Sequence, residues 1–122
     1  MKRVLTASRT TGTRELRAWL DGKQLDPRPS QQVWNHSPDG FNIGYGGSGP
    51  AQLSLAIMLA CGLEENLAVA LHQPFKWAFL ANERDQDGDV MITFDLEEWM
   101  KDQDAAADLA EKKPESDPGP GL

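Results

Sequence analysis

The stretch Gly44–Met58, GYGGSGPAQLSLAIM, decides the fold. Four glycines and Ser48 run into Pro50, and from there the chain is apolar almost without a break. Glycine lets the backbone bend sharply, and proline suits the first helical turn, where its missing N–H would have no partner. The spacing predicts a tight turn feeding a helix, with Ser48 or Gly49 as its cap. Leu53, Leu55, Ala56, Ile57, Met58, Leu59 and Ala60 cover that helix nearly all round, so it should be central and buried. Cys61-Gly62 ends it.

Toward the C-terminus, Leu63, Leu67, Ala70, Leu71, Phe75, Ala78 and Phe79 repeat at helical spacing. Pro74 should kink this second helix or restart it near Gln73, and Trp77 is expected on its packed side. Residues 89–94 predict a last strand. Asp95, with Glu98 three positions later, resembles a capping box for a short helix through Trp99 and Met100.

Toward the N-terminus, Lys2 to Ser8 has the character of a strand and Thr10 to Thr13 that of a turn. Residues 17–25 predict a hairpin through Asp21-Gly22, a pair that accepts the positive φ of a type I′ turn. Pro27 and Pro29 end regular pairing, and a short strand is expected at residues 41–45. The sum is an α+β fold, a small antiparallel sheet packed on a buried helical hairpin. Residues 1–101 are expected to form one domain and residues 102–122 an acidic, Pro/Gly-rich, disordered tail.

A chain of 122 residues with 39% hydrophobic content fits a single soluble domain. No stretch approaches the roughly 20 apolar residues of a membrane span, and MKRVLTASRTTG lacks a secretory apolar block. With Cys61 as the single cysteine, a reducing cytoplasm is the expected location. Residues 1–36 carry seven Lys/Arg against three Asp/Glu, residues 37–101 three against ten, and residues 102–122 two against six. A net charge of −7 argues against nucleic acid as the direct partner, because neutralising phosphates supplies most of that affinity.

Gly44-x-Gly46-x-x-Gly49 matches the dinucleotide fingerprint as a string, with Glu64 some way beyond. A second helix follows where a Rossmann unit needs a parallel strand, and no Lys-Ser/Thr pair completes a phosphate loop. Two readings of the turn stay open. It is structural, or it holds a phosphate or carboxylate over Gly46, Gly47, Ser48 and Gly49, with Arg28 or His36 as side-chain helper.

Ser48 is no elbow nucleophile, since Pro50 stands where glycine is required. His36 and His72 show no relay partner, and with Cys61 they match no zinc spacing. Placing Gly88 sixth in a calcium loop puts Phe94 twelfth, where a bidentate carboxylate belongs. No catalytic residue, metal or cofactor is expected. Glu83, Asp85, Asp87, Asp89, Asp95, Glu97 and Glu98 form either a solvated face or an acidic surface opposing a basic partner. Trp34, in a proline-bounded loop, is an interface anchor or a plug for a small core.

The motif at Gly44 to Leu53, GYGGSGPAQL, resembles a small uncharacterised domain family of bacteria, archaea and their viruses. Phe75-Lys76-Trp77, Asp26 to Ser30 and Asn35 to Pro38 are similar to that family's pattern as well. Ile43 stands where the family is expected to carry tryptophan, and the acidic stretch after Asn82 departs from its usual ending. The resemblance implies a domain without an assigned reaction. Together with small size and net acidity, it leads to a non-enzymatic protein-interaction module as the expectation. A narrower form is a virus- or mobile-element-encoded, anti-CRISPR-like inhibitor of a nucleic-acid-handling host complex.

Overall fold

The computed structural model describes residues 1–9, 15–83 and 89–103. Its strands are β1 (Lys2–Arg9), β2 (Leu16–Leu20), β3 (Lys23–Gln24) and β4 (Asp89–Asp95). Its helices are α1 (Arg28–Val33), α2 (Ser48–Ala60) and α3 (Glu65–Phe75), with a π-helical turn at Lys76–Leu80 and a last helix over residues 96–103. The strands form one antiparallel sheet in the order β3-β2-β1-β4, so the fold is α+β as the sequence implies.

Contacts divide the chain into two compact units. Among the described residues, the smaller joins residues 1–3 to residues 93–103. There Asp95 accepts from the Glu98 backbone N–H at 3.2 Å, the expected cap of the last helix. The same carboxylate lies 3.3 Å from the Met1 amine, and its pKa is lowered chiefly by the Glu98 bond. Trp99 of that helix is buried. The segments expected at Thr10 to Thr13 and beyond residue 103 lie outside the described residues.

The larger unit spans residues 4–92. Its hairpin turns at Asp21 (φ 51°) and Gly22 (φ 84°), the left-handed pair that Asp-Gly supplies, and Asp21 also accepts from the Val4 N–H at 2.8 Å. Leu5 and Ala7 of β1 and Leu16, Ala18 and Leu20 of β2 point to the buried side, as strand alternation requires. α2 is buried from Gly49 to Met58, so the all-round apolar reading holds.

Three expectations are corrected, and one helix forms that the sequence reading did not include. The strand at residues 41–45 reduces to one bridge between Leu16 and Phe41. Gly40 (φ 104°) and Gly44 (φ 90°) bend the chain on either side of it, and the Gly44 N–H goes to Leu80 rather than to a strand. α1 forms where pairing was only expected to stop. Pro27 caps it and Pro29 falls in its first turn, where no N–H is missed. α2 begins at Ser48 with Gly47 as its cap, and Ser48 makes no capping bond.

The last correction concerns α3. Together with the turn after it, α3 buries Ala68, His72, Phe75, Lys76 and Leu80, while Leu67 and Ala70 face solvent. Pro74 offers no N–H to the turn before it, and the ladder continues past it in π register, with Ala81 N–H bonding Lys76 O at 2.8 Å. At 3.6 residues per turn Trp77 lies about 140° round the helix from His72 and about 100° from Lys76, off the buried face. Trp77, expected inside, is 57% exposed.

Candidate functional site

A polar seam runs where α1, the loop after it, α2 and α3 meet. Its hub is Gln52, fully buried on α2. The Gln52 carbonyl accepts from the backbone N–H groups of His36 (2.7 Å) and Ser37 (2.9 Å), while its amide donates to Ser30 Oγ (2.8 Å) and Trp34 O (3.2 Å). Ser30 Oγ in turn donates to Pro27 O at 2.7 Å. One side chain thus ties α1 and its exit loop to the central helix. Two residues along α2, Ser54 Oγ donates to His72 O at 2.5 Å, which ties α3 to the same helix.

At the outer end of this seam His36 and His72 meet, Nε2 to Nε2, at 2.9 Å. His72 Nδ1 is 2.6 Å from Val69 O, and a carbonyl can only accept, so Nδ1 carries the proton. His72 Nε2 then offers its lone pair, and His36 Nε2–H donates to it. Trp34 stacks on His36 with ring centroids 4.3 Å apart and meets His72 edge-on at 5.6 Å. His72 is 0% exposed and Trp34 49%, so the pair links the interior to a surface indole. The sequence showed no partner for either histidine; the fold makes each the partner of the other.

Desolvation lowers the pKa of both rings. For His36, His72 and Lys76 push in the same direction. For His72, the bond to Val69 works against burial, and Lys76 adds to it. In the unfolded chain both titrate near 6.5, so on acidification the unfolded chain takes up protons first. The contribution of the pair to stability is complete above about pH 6.5 and declines below it, through the lowered folded values. Urea midpoints measured across that range should fall with pH, and less steeply in His36→Gln.

Lys76 is 5% exposed, an unusual depth for an ammonium group. Its Nζ donates to Gly46 O at 2.9 Å and sits 4.6 Å from the centre of the Trp77 ring. A carbonyl and an aromatic face replace the water it has left. The glycines around it leave space for neighbours. A Cβ on Gly46 would lie 2.2 Å from the Trp77 ring, on Gly47 2.4 Å from Tyr45, and on Gly49 2.4 Å from Asn42 Cβ. Close packing therefore accounts for the polyglycine bend, whatever else it does.

Beside the bend lies a cleft of about 560 Å³ whose lining includes Glu15, Asp39, Asn42, Tyr45, Ser48 and Gly49. Two carboxylates at its wall oppose an anion there. Arg28, one of the two side-chain helpers considered, is clasped by Asp26 at 2.6 Å, which holds that carboxyl down to about 2. His36, the other, is turned to His72.

Of the acidic set, Asp85 and Asp87 lie outside the described residues. Asp89, Glu97 and Glu98 are exposed, and Glu83 and Asp95 half-buried. Among the described residues no three His, Cys, Asp or Glu side chains gather to hold a metal ion. The 2.9 Å between the two histidines is an N–H···N hydrogen bond. No helix among the described residues is long and apolar enough to cross a membrane. A family model described as "Family of unknown function (DUF6166)" matches residues 5–102. No curated protein and no solved structure matches the chain.

Proposed function

The chain belongs to this family of unknown function, and from that premise we propose that it is a non-enzymatic protein-interaction module. The observation that carries the reading is a set of three half-exposed aromatic rings, each packed on a close neighbour. Trp34 is 49% exposed, Tyr45 47% and Trp77 57%. Tyr45 packs on Gly47, Trp77 on Gly46, and Trp34 on the histidine pair whose inner member lies one turn before Lys76. Large aromatic rings are among the side chains that most often dominate binding energy at interfaces. The partner has a basic surface, drawn by a chain of net charge −7 with Asp89, Glu97 and Glu98 exposed. The narrower version is a virus- or mobile-element-encoded, anti-CRISPR-like inhibitor, acting inside the cell on a complex that handles nucleic acid. Its support is the same charge complementarity.

Affinity capture with the wild-type chain, compared with Trp34→Ala and Trp77→Ala, tests the module. Each variant should lose about 2 kcal/mol or more of binding to the captured protein, roughly a 30-fold weaker Kd. Reversing charge in Asp89→Lys with Glu97→Lys should slow association and flatten its salt dependence. Binding unaffected by all four substitutions ends the proposal. The alternative, a phosphate or carboxylate over Gly46, Gly47, Ser48 and Gly49, predicts a thermal shift with nucleotides or phosphorylated metabolites. Glu15 and Asp39 weigh against it.

A further inference from the structure

We propose that His36 and His72 form a latch, released by protons, that holds the Trp34 ring in place on the docking surface. The proposal rests on the interaction reading above and adds the regulation of one anchor. The backbone of Trp34 is fixed independently, by its N–H to Ser30 O at 2.9 Å and by the Gln52 amide on its carbonyl. The ring itself rests on the two imidazoles. Its placement therefore depends on a bond that can be titrated, while the loop beneath depends on an amide that cannot.

The bond tolerates one proton and not two. A first proton, taken on His36 Nδ1, leaves Nε2–H of His36 donating to the bare Nε2 of His72. A second, on His72 Nε2, sets N–H against N–H at a separation of 2.9 Å, and the bond is lost. Among the groups facing the pair, the backbone bonds of His72 to Val69 and Ala68 favour that second charge, and burial outweighs them. α2 presents neutral Gln52 and Ser54, α1 presents Gln31 to the same loop, and the turn after α3 adds the Lys76 ammonium. Burial and Lys76 both oppose charge on the rings. Repulsion is relieved by swinging out the half-buried His36, and the indole stacked on it loses its platform.

Acrylamide quenching of Trp34 tests the latch without any partner, using the difference between wild type and Trp34→Phe. Quenching should be flat at neutral pH, then rise roughly twofold in acid, because a ring that is 49% exposed becomes open to solvent. The rise should be steep, with two protons bound, and should occur while far-UV circular dichroism is unchanged. In His72→Gln the step should disappear. Quenching that changes only together with the circular dichroism, or a step unaltered in His72→Gln, overturns the proposal.

Should His72→Gln not fold, imidazole ¹⁵N shifts of the wild-type chain decide instead. They should show His72 protonated on Nδ1 and His36 on Nε2 at neutral pH; independent one-proton titration of each ring near 6.5 refutes the latch. A failed latch with partner binding still lost in Trp34→Ala at neutral pH leaves the docking surface standing. Binding untouched by Trp34→Ala removes the surface, whatever the quenching shows.

Discussion

Gln52→Leu should cost roughly 3–4 kcal/mol of stability, because it removes four hydrogen bonds at once. The backbone N–H groups of His36 and Ser37, the carbonyl of Trp34 and the hydroxyl of Ser30 all lose the partner they have in Gln52. Each lost bond contributes about 0.5–1.5 kcal/mol, while the His36 N–H and the Trp34 carbonyl keep their 3.1 Å bond to each other and Ser30 Oγ keeps Pro27 O. Leucine nearly matches glutamine in volume, so the loss reports hydrogen bonding rather than a cavity. Urea unfolding checks it: the midpoint should fall with the slope unchanged. A shift below about 1 kcal/mol would mean that the loop after α1 is held by something other than this amide.

Gly49→Ala should be nearly as severe, at about 2–3 kcal/mol, for a steric reason. The new methyl would lie 2.4 Å from Asn42 Cβ and 3.0 Å from the Asn42 backbone nitrogen. Neither is the free end of a flexible side chain, so the segment before the bend must move. Asn42 is anchored there: its Oδ1 accepts from Arg9 Nη2 at 2.7 Å and from the Ile43 N–H at 2.9 Å. Gly46→Ala makes the informative comparison. Its methyl meets the exposed ring of Trp77, which can turn away, so its stability loss should be the smaller of the two. Thermal unfolding of the pair measures the difference, and equal losses would contradict the packing account.

How much of this was legible in the sequence differs from element to element. The hairpin at Asp21-Gly22, the central burial of α2 and the cap at Asp95 each follow from chemistry within a few residues of one another. The sheet-and-hairpin architecture followed from those. The site did not, because it is assembled from partners far apart in the chain. His36 and His72 are 36 positions apart, and nothing in the spacing of either reveals the other.

Gln52 and Ser54 did carry a signal. They are two polar residues on a helix apolar all round, and a helix buried on every side obliges its polar groups to find partners inside. The inner face of α3 was missed for a related reason. Apolar periodicity selected Leu67, Ala70 and Leu71, whereas the face that packs includes His72 and Lys76. Those side chains are buried by partners that only the folded chain supplies, the Val69 and Gly46 carbonyls and the Trp77 ring.

The π turn at Lys76–Leu80 bears on how this chain should be compared with others. One residue more than an ordinary helix has been taken up within that turn. A relative that lacks it matches this chain up to Lys76 and is one position out of step beyond. Equating the two without a gap would set Ala81, which is buried here, against a position that an ordinary helix turns outward.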